Sequence, residues 1–143
     1  MNKISLILLL QISGVMHLGL IVANAQMPKT VNLRSHIAPL PTFIRRMFWV
    51  YYSFINLCLV GFGLLTFTQA KVLASGSDLA RAVCLFFVAF WTLRLFTGIF
   101  VFEMRPYLTT VPRRLGYFLI NVVIVYLLAV YAWAALKNGG YPA

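Results

Sequence analysis

Four polar side chains, His17, Asn56, Arg94 and Asn121, each stand inside a long apolar run of this chain. Arg94 is the sharpest case. The stretch "FWTLRLFTGIFVFEMR", residues 90–105, places among hydrocarbon side chains a guanidinium that stays protonated in any protein setting. Such a group is a fixed cation with a planar fork of N–H donors, suited to the oxygens of a phosphate, a carboxylate or a carbonyl. Trp91, three residues earlier, falls on the same helical face and adds an aromatic surface and one N–H. His17 is the residue in these runs whose ordinary titration range lies near neutral pH, so any general base here would be His17. These residue types point to holding a ligand: His17, Asn56, Trp91, Arg94 and Asn121 are the candidate binding residues.

The remaining inventory excludes more than it offers. The two acids, Asp78 and Glu103, lie near the ends of apolar runs, so the deep carboxylates of proton-coupled transport are missing. Haem ligation usually needs histidine, and the two histidines are His17 and His36, the latter in a proline-rich connection. No cluster of His, Cys and acid residues has zinc spacing. No nucleophile has an adjacent base, and no glycine-rich loop could cradle a phosphate. Cys58 and Cys84 sit at depths differing by roughly 10 Å at a helical rise of about 1.5 Å per residue, too far for a disulfide. They read as unpaired core residues. No cofactor follows from this set, and catalysis independent of a partner is not expected.

What must position the candidates is a membrane bundle. Of 143 residues, 62% are hydrophobic and 10% charged, against about 25% charged in soluble domains. The apolar residues form four blocks, Ile4 to Ala23, Met47 to Phe67, Leu79 to Phe102 and Leu115 to Leu136, each near the about 20 residues a membrane-spanning helix needs. Helices satisfy every backbone polar group within the segment, and the blocks lack the short alternation of barrel strands. The chain therefore reads as all-α, an integral membrane four-helix bundle in a single domain over 1–143. Its helices cover about 4–24, 46–69, 78–103 and 115–137, with a proline-rich basic connection at 25–45. The net charge of +10 sits mainly at the ends of the blocks, where it meets lipid headgroups and sets topology. No segment interleaves basic and aromatic residues on a polar surface, which excludes nucleic acid as a partner.

The start "MNKISLILLLQISGVMHLGLIVANAQ" has the layout of a cleavable signal. Its apolar part exceeds the about 7–15 residues of a signal core and contains Gln11 and His17, so a retained first helix is expected. Pro28, Pro39 and Pro41 are expected to break any helix in the first connection, leaving it along the interface. Trp49, Tyr51 and Tyr52 read as an interfacial aromatic belt. In "ASGSD" either Ser77 or Asp78 can cap the third helix. Pro106 and Pro112 stop the helices around the third connection, and Gly139 and Gly140 stop the fourth. The first and third connections carry Lys29, Arg34, Arg45, Arg46, Arg105, Arg113 and Arg114, seven cations, against Lys3, Lys71, Arg81 and Lys137 on the other side. That balance puts the termini outside and those two connections in the cytoplasm.

Counting inward from that basic side at about 1.5 Å per residue, His17 lies about 10 Å in, Asn56 about 15 Å, Arg94 about 12 Å and Asn121 about 9 Å. Each helix thus contributes one polar side chain to one leaflet. Each also sits on a stripe at helical spacing: Ser13, His17 and Asn24; Tyr52, Asn56 and Gly63; Phe87, Trp91, Arg94 and Gly98; Tyr117, Asn121 and Leu128. Arg94 could donate to His17, Asn56, Asn121 or a bound anion. Glu103, nine residues on, is on the opposite face of the helix and cannot pair with it there. The expected occupant is lipid-like or quinone-like: a lipid phosphate, a carboxylate or a quinone carbonyl. The plain alternative is a set of interhelical hydrogen bonds worth about 0.6 kcal/mol each.

Two other functions compete. The aromatic outer face, with Phe86, Phe87, Phe90, Trp91, Phe96, Phe100 and Phe102 crowded on the third helix, suits an accessory subunit of a larger membrane complex. A small membrane enzyme using His17 ranks last, for want of partner groups. The segments "RRMFWVYYSFI", "LASGSDLARAV" and "FWTLRLFTGIFVF" resemble small four-helix bacterial membrane proteins with no assigned reaction. The resemblance covers about residues 45–102, carries Trp49, Trp91 and Arg94, and implies the fold and a multi-pass place in a bacterial inner membrane, but no activity.

Overall fold

The structure, a computed structural model, describes residues 3–102 and 105–137. The fold is all-α, with no strand among the described residues. Helix α1 runs Lys3–Thr30, α2 Leu33–Ile37, α3 Thr42–Thr68, α4 Ala70–Leu73, α5 Asp78–Phe96 and α6 Val111–Lys137. A π-helical turn, Thr97–Val101, extends α5, and a 3₁₀ turn, Arg105–Tyr107, precedes α6. Four segments are long and apolar enough to cross a membrane: Ile4–Thr30, Thr42–Thr68, Asp78–Val101 and Val111–Lys137. Glu103 and the Gly139–Gly140 stop lie outside the described residues.

The first helix corrects the expectation for Pro28. Instead of ending before it, α1 continues through Pro28 to Thr30. A proline inside a helix deprives the carbonyl four residues earlier of its N–H donor, and here that carbonyl is Asn24's. The Tyr52 hydroxyl donates to the Asn24 oxygen at 2.6 Å, so a tertiary contact replaces the missing backbone bond. The helix stops two residues later, where Asn32 takes the left-handed conformation at φ 49°, which asparagine tolerates better than most residues. Pro39 and Pro41 do interrupt the helix, and α3 starts at Thr42 directly after Pro41. At the next helix start, the Ser77 hydroxyl accepts from the Ala80 N–H at 3.2 Å, so Ser77 is the cap and Asp78 sits in the first turn. Pro112 is in the first turn of α6, where its missing N–H costs nothing; α6 consequently begins four residues earlier than the apolar block suggests.

Helix α1 packs mainly on α3 and also on α6, while α5 packs on α6. The α1–α3 contact is made by glycine. A Cβ on Gly14 would lie 2.9 Å from the Phe67 nitrogen and 3.0 Å from the Gly63 oxygen, and one on Gly63 would lie 2.9 Å from the His17 Cβ. Small residues allow this approach, which is how helices associate where lipid offers as much apolar contact as protein does. The α3 and α5 backbones stand further apart than those of α1 and α3. The Phe62 ring bridges them edge-on, 5.0 Å from Phe87 and 5.1 Å from Phe90 by centroid. Among the fully buried side chains are Leu6, Leu10 and Leu127, together with Tyr131, whose hydroxyl hydrogen-bonds Thr66 at 2.7 Å.

Candidate functional site

The continuation of α1 through Pro28 resets the depth of its polar residues. Counted from Thr30 rather than from residue 24, His17 lies about 9 Å deeper than the sequence count gave, at about 1.5 Å for each of six added residues. The contacts agree with that shift. Asn24, not His17, meets Asn56: its Nδ2 donates to the Asn56 Oδ1 at 3.1 Å. His17 instead packs against Gly63, two helical turns along α3 from Asn56. The four polar side chains therefore form two levels, not one layer.

At the level of Asn24 a cavity of about 170 Å³ opens among all four long helices. Leu20, Ala23 and Asn24 of α1, Ile55 and Leu59 of α3, Trp91 and Arg94 of α5, and Tyr117, Asn121 and Ile124 of α6 are among its walls. The exposed members of the lining are Met27 on α1, Ile55 on α3, Arg94 on α5 and Phe102 just past the π-helical turn, so the mouth lies toward the seam between α3 and α5. This is the seam whose backbones stand apart, below the Phe62 bridge.

Arg94 sits at that mouth. Gly98, one turn on, leaves it room, since a Cβ there would lie 3.2 Å from the Arg94 Nη1. The guanidinium carbon lies 5.9 Å from the Phe102 ring centroid, a cation–π contact. Among the described residues no hydrogen-bond acceptor meets the guanidinium, and the anticipated bonds to His17, Asn56 and Asn121 do not form. Asn121 uses its Nδ2 on the Tyr117 carbonyl of its own helix at 2.8 Å. The Tyr117 hydroxyl in turn donates to the Gly98 oxygen at 3.0 Å, tying α6 to the π-helical turn after Arg94. Arg94 and the Trp91 ring, with Asn24, Tyr117 and Asn121, thus border a space whose remaining lining is apolar.

His17 lies behind this cavity rather than in its lining. It is 0% exposed, and its Nδ1 is 2.7 Å from the Ser13 carbonyl oxygen. A carbonyl only accepts, so Nδ1 carries the proton, and in the neutral ring Nε2 is left as an acceptor. The His17 ring meets the Trp91 ring edge-on, 5.4 Å between centroids. Neither the His17 Nε2 nor the Trp91 Nε1 has a hydrogen-bond partner among the described residues. Asn56 faces the other side of α1, where it borders a groove with Lys29, Arg34, Trp49 and Tyr52.

The structure therefore joins Trp91, Arg94 and Asn121 around one cavity, brings His17 against Trp91 from behind, and sends Asn56 elsewhere. Asn24 and Tyr117 belong to the site and were visible in the sequence only as members of polar stripes. Among the described residues no three His, Cys, Asp or Glu side chains approach one another closely enough to hold a metal. Cys58 is exposed, Cys84 is buried, and both are free thiols. No family model matches the chain, and no curated protein or solved structure was found to be similar to it.

Proposed function

We propose that this protein binds a lipid-like or quinone-like molecule in the four-helix cavity, with Arg94 and Asn121 taking its polar head. One observation carries the reading: Arg94 stands at the mouth of an apolar cavity with no acceptor among the described residues. An arginine inside a membrane span costs about 2.5–3.5 kcal/mol on insertion scales, and an oxygen-bearing ligand offsets that cost in a way that lipid chains cannot. The cavity, about 170 Å³, is close to the about 150 Å³ that accommodates a benzene ring. It therefore encloses a head about one ring in size, and the rest of an amphipathic molecule remains in the bilayer. Entry from the side, through the α3–α5 seam, suits a ligand that is already dissolved in lipid.

The test is the mass-spectrometric lipid and quinone content of protein purified from its own membrane. Arg94→Leu should lose the co-purifying species while keeping the melting temperature of the wild type; equal content in both would overturn the proposal. The reading as a subunit of a larger complex rests on the outward rings of Phe86, Phe96 and Phe100, which lipid accommodates equally well. The cavity is favoured over it.

A further inference from the structure

We infer that the occupant's head carries a hydroxyl, in the manner of a quinol or a phenol, and that Trp91 and His17 together read it. This inference rests on the cavity reading above and names the ligand class. The indole Nε1 of Trp91 can only donate. The His17 Nδ1 is committed to the Ser13 carbonyl at 2.7 Å, which makes Nε2 an acceptor. Both atoms are buried and unpartnered, on rings whose centroids are 5.4 Å apart. A buried donor and a buried acceptor side by side call for one group that accepts from the first and donates to the second. A hydroxyl does both. A ketone, ether or phosphate-ester oxygen serves Trp91 but leaves His17 without a donor.

Placement points the same way. Trp91 borders the cavity and touches His17, so it is the side chain shared by the ligand space and the unpartnered imidazole. It precedes Arg94 by three residues, about one helical turn. A ring-sized head with one oxygen at Arg94 would thus turn its far side toward Trp91. A cavity of about 170 Å³ leaves little further room inside, so a hydroxyl on that far side meets the Trp91 ring, behind which the indole Nε1 and the His17 Nε2 are closed off from the cavity; a turn of that ring admits the hydroxyl to the pair. The site would then discriminate between the reduced, hydroxyl-bearing form of a quinone and the oxidised form, which has the same carbon skeleton but no O–H.

The experiment uses the purified full-length protein in detergent and two fully substituted probes. They are 2,3,5-trimethyl-6-decyl-1,4-benzoquinone and its quinol, the latter kept reduced, with binding followed by isothermal titration calorimetry. The quinol should bind the wild type about tenfold or more tightly than the quinone, and the preference should fall to within about twofold in both His17→Phe and Trp91→Phe. Trp91→Phe decides alone if His17→Phe fails to fold. Equal binding of both probes to the wild type would overturn the inference and leave the cavity reading standing, with buried water completing the pair. A preference retained in the variants would also overturn it, because the hydroxyl would then be read by another group. No binding of either probe would remove the ring-headed ligand and the inference together.

Discussion

Helix α3 meets α1 through glycine and meets α5 through phenylalanine. On the α1 side, Gly14 and Gly63 bring two backbones so close that a single added Cβ would lie within about 3 Å of main-chain atoms. On the α5 side the backbones stand apart, and Phe62 reaches across to Phe87 and Phe90. Around Gly14 and Gly63 the close seam leaves no space. The wide seam is sealed at one level by rings and left open at the next, where Ile55, Arg94 and Phe102 surround the cavity mouth. The contrast shows how a bundle with little polar chemistry can still open a cavity: closeness on one face of a helix leaves its opposite face free to be spaced by side chains.

The largest effect should come from breaking the close seam. Gly14→Val should prevent a stable bundle, and even Gly14→Ala should cost about 1–3 kcal/mol as overpacking against main chain that cannot yield, seen as a lower unfolding temperature in detergent. Phe62→Ala on the wide seam should cost less than the about 3–5 kcal/mol of a fully buried phenylalanine. It should also enlarge the ligand range, read as a broader set of co-purifying molecules. Tyr52→Phe should cost about 1–2 kcal/mol by leaving the Asn24 carbonyl without its donor. In a Pro28→Ala background that cost should largely vanish, because the restored N–H takes over the carbonyl; a full double-mutant cycle in chemical denaturation would show it. The smallest effect on stability should be that of Gly98→Ala, whose Cβ meets only the movable end of Arg94. Its melting temperature should match the wild type while ligand occupancy changes.

The sequence made the four spans and the all-α class legible because hydrocarbon blocks of this length admit little else. It also placed His17, Asn56, Arg94 and Asn121 at similar depth, with Trp91 on the Arg94 stripe; of these, Trp91, Arg94 and Asn121 share a cavity, and His17 and Asn56 do not line it. What it could not show depends on contacts between helices. Pro28 reads as a breaker until Tyr52 from α3 supplies the missing donor. That tertiary bond accompanies an α1 that runs on to Thr30, in which His17 stands away from the level of Asn56, a shift that counting along a single helix cannot reveal. Gly14 looked like any small residue, since its role exists only opposite Gly63. The π-helical turn at Thr97–Val101 that offers the Gly98 carbonyl to Tyr117 has no local sequence signal either.

On the proposed reading, Arg94 stands at the mouth of the wide seam to hold a ligand head. Native mass spectrometry of the protein, gently extracted from its own membrane, tests it most directly when wild type and Arg94→Leu are run side by side. The wild type should carry the added mass of an amphipathic molecule, retained under mild activation, and a folded Arg94→Leu should lack it. A wild type that flies without small ligand, or an adduct that Arg94→Leu keeps in equal amount, would contradict it.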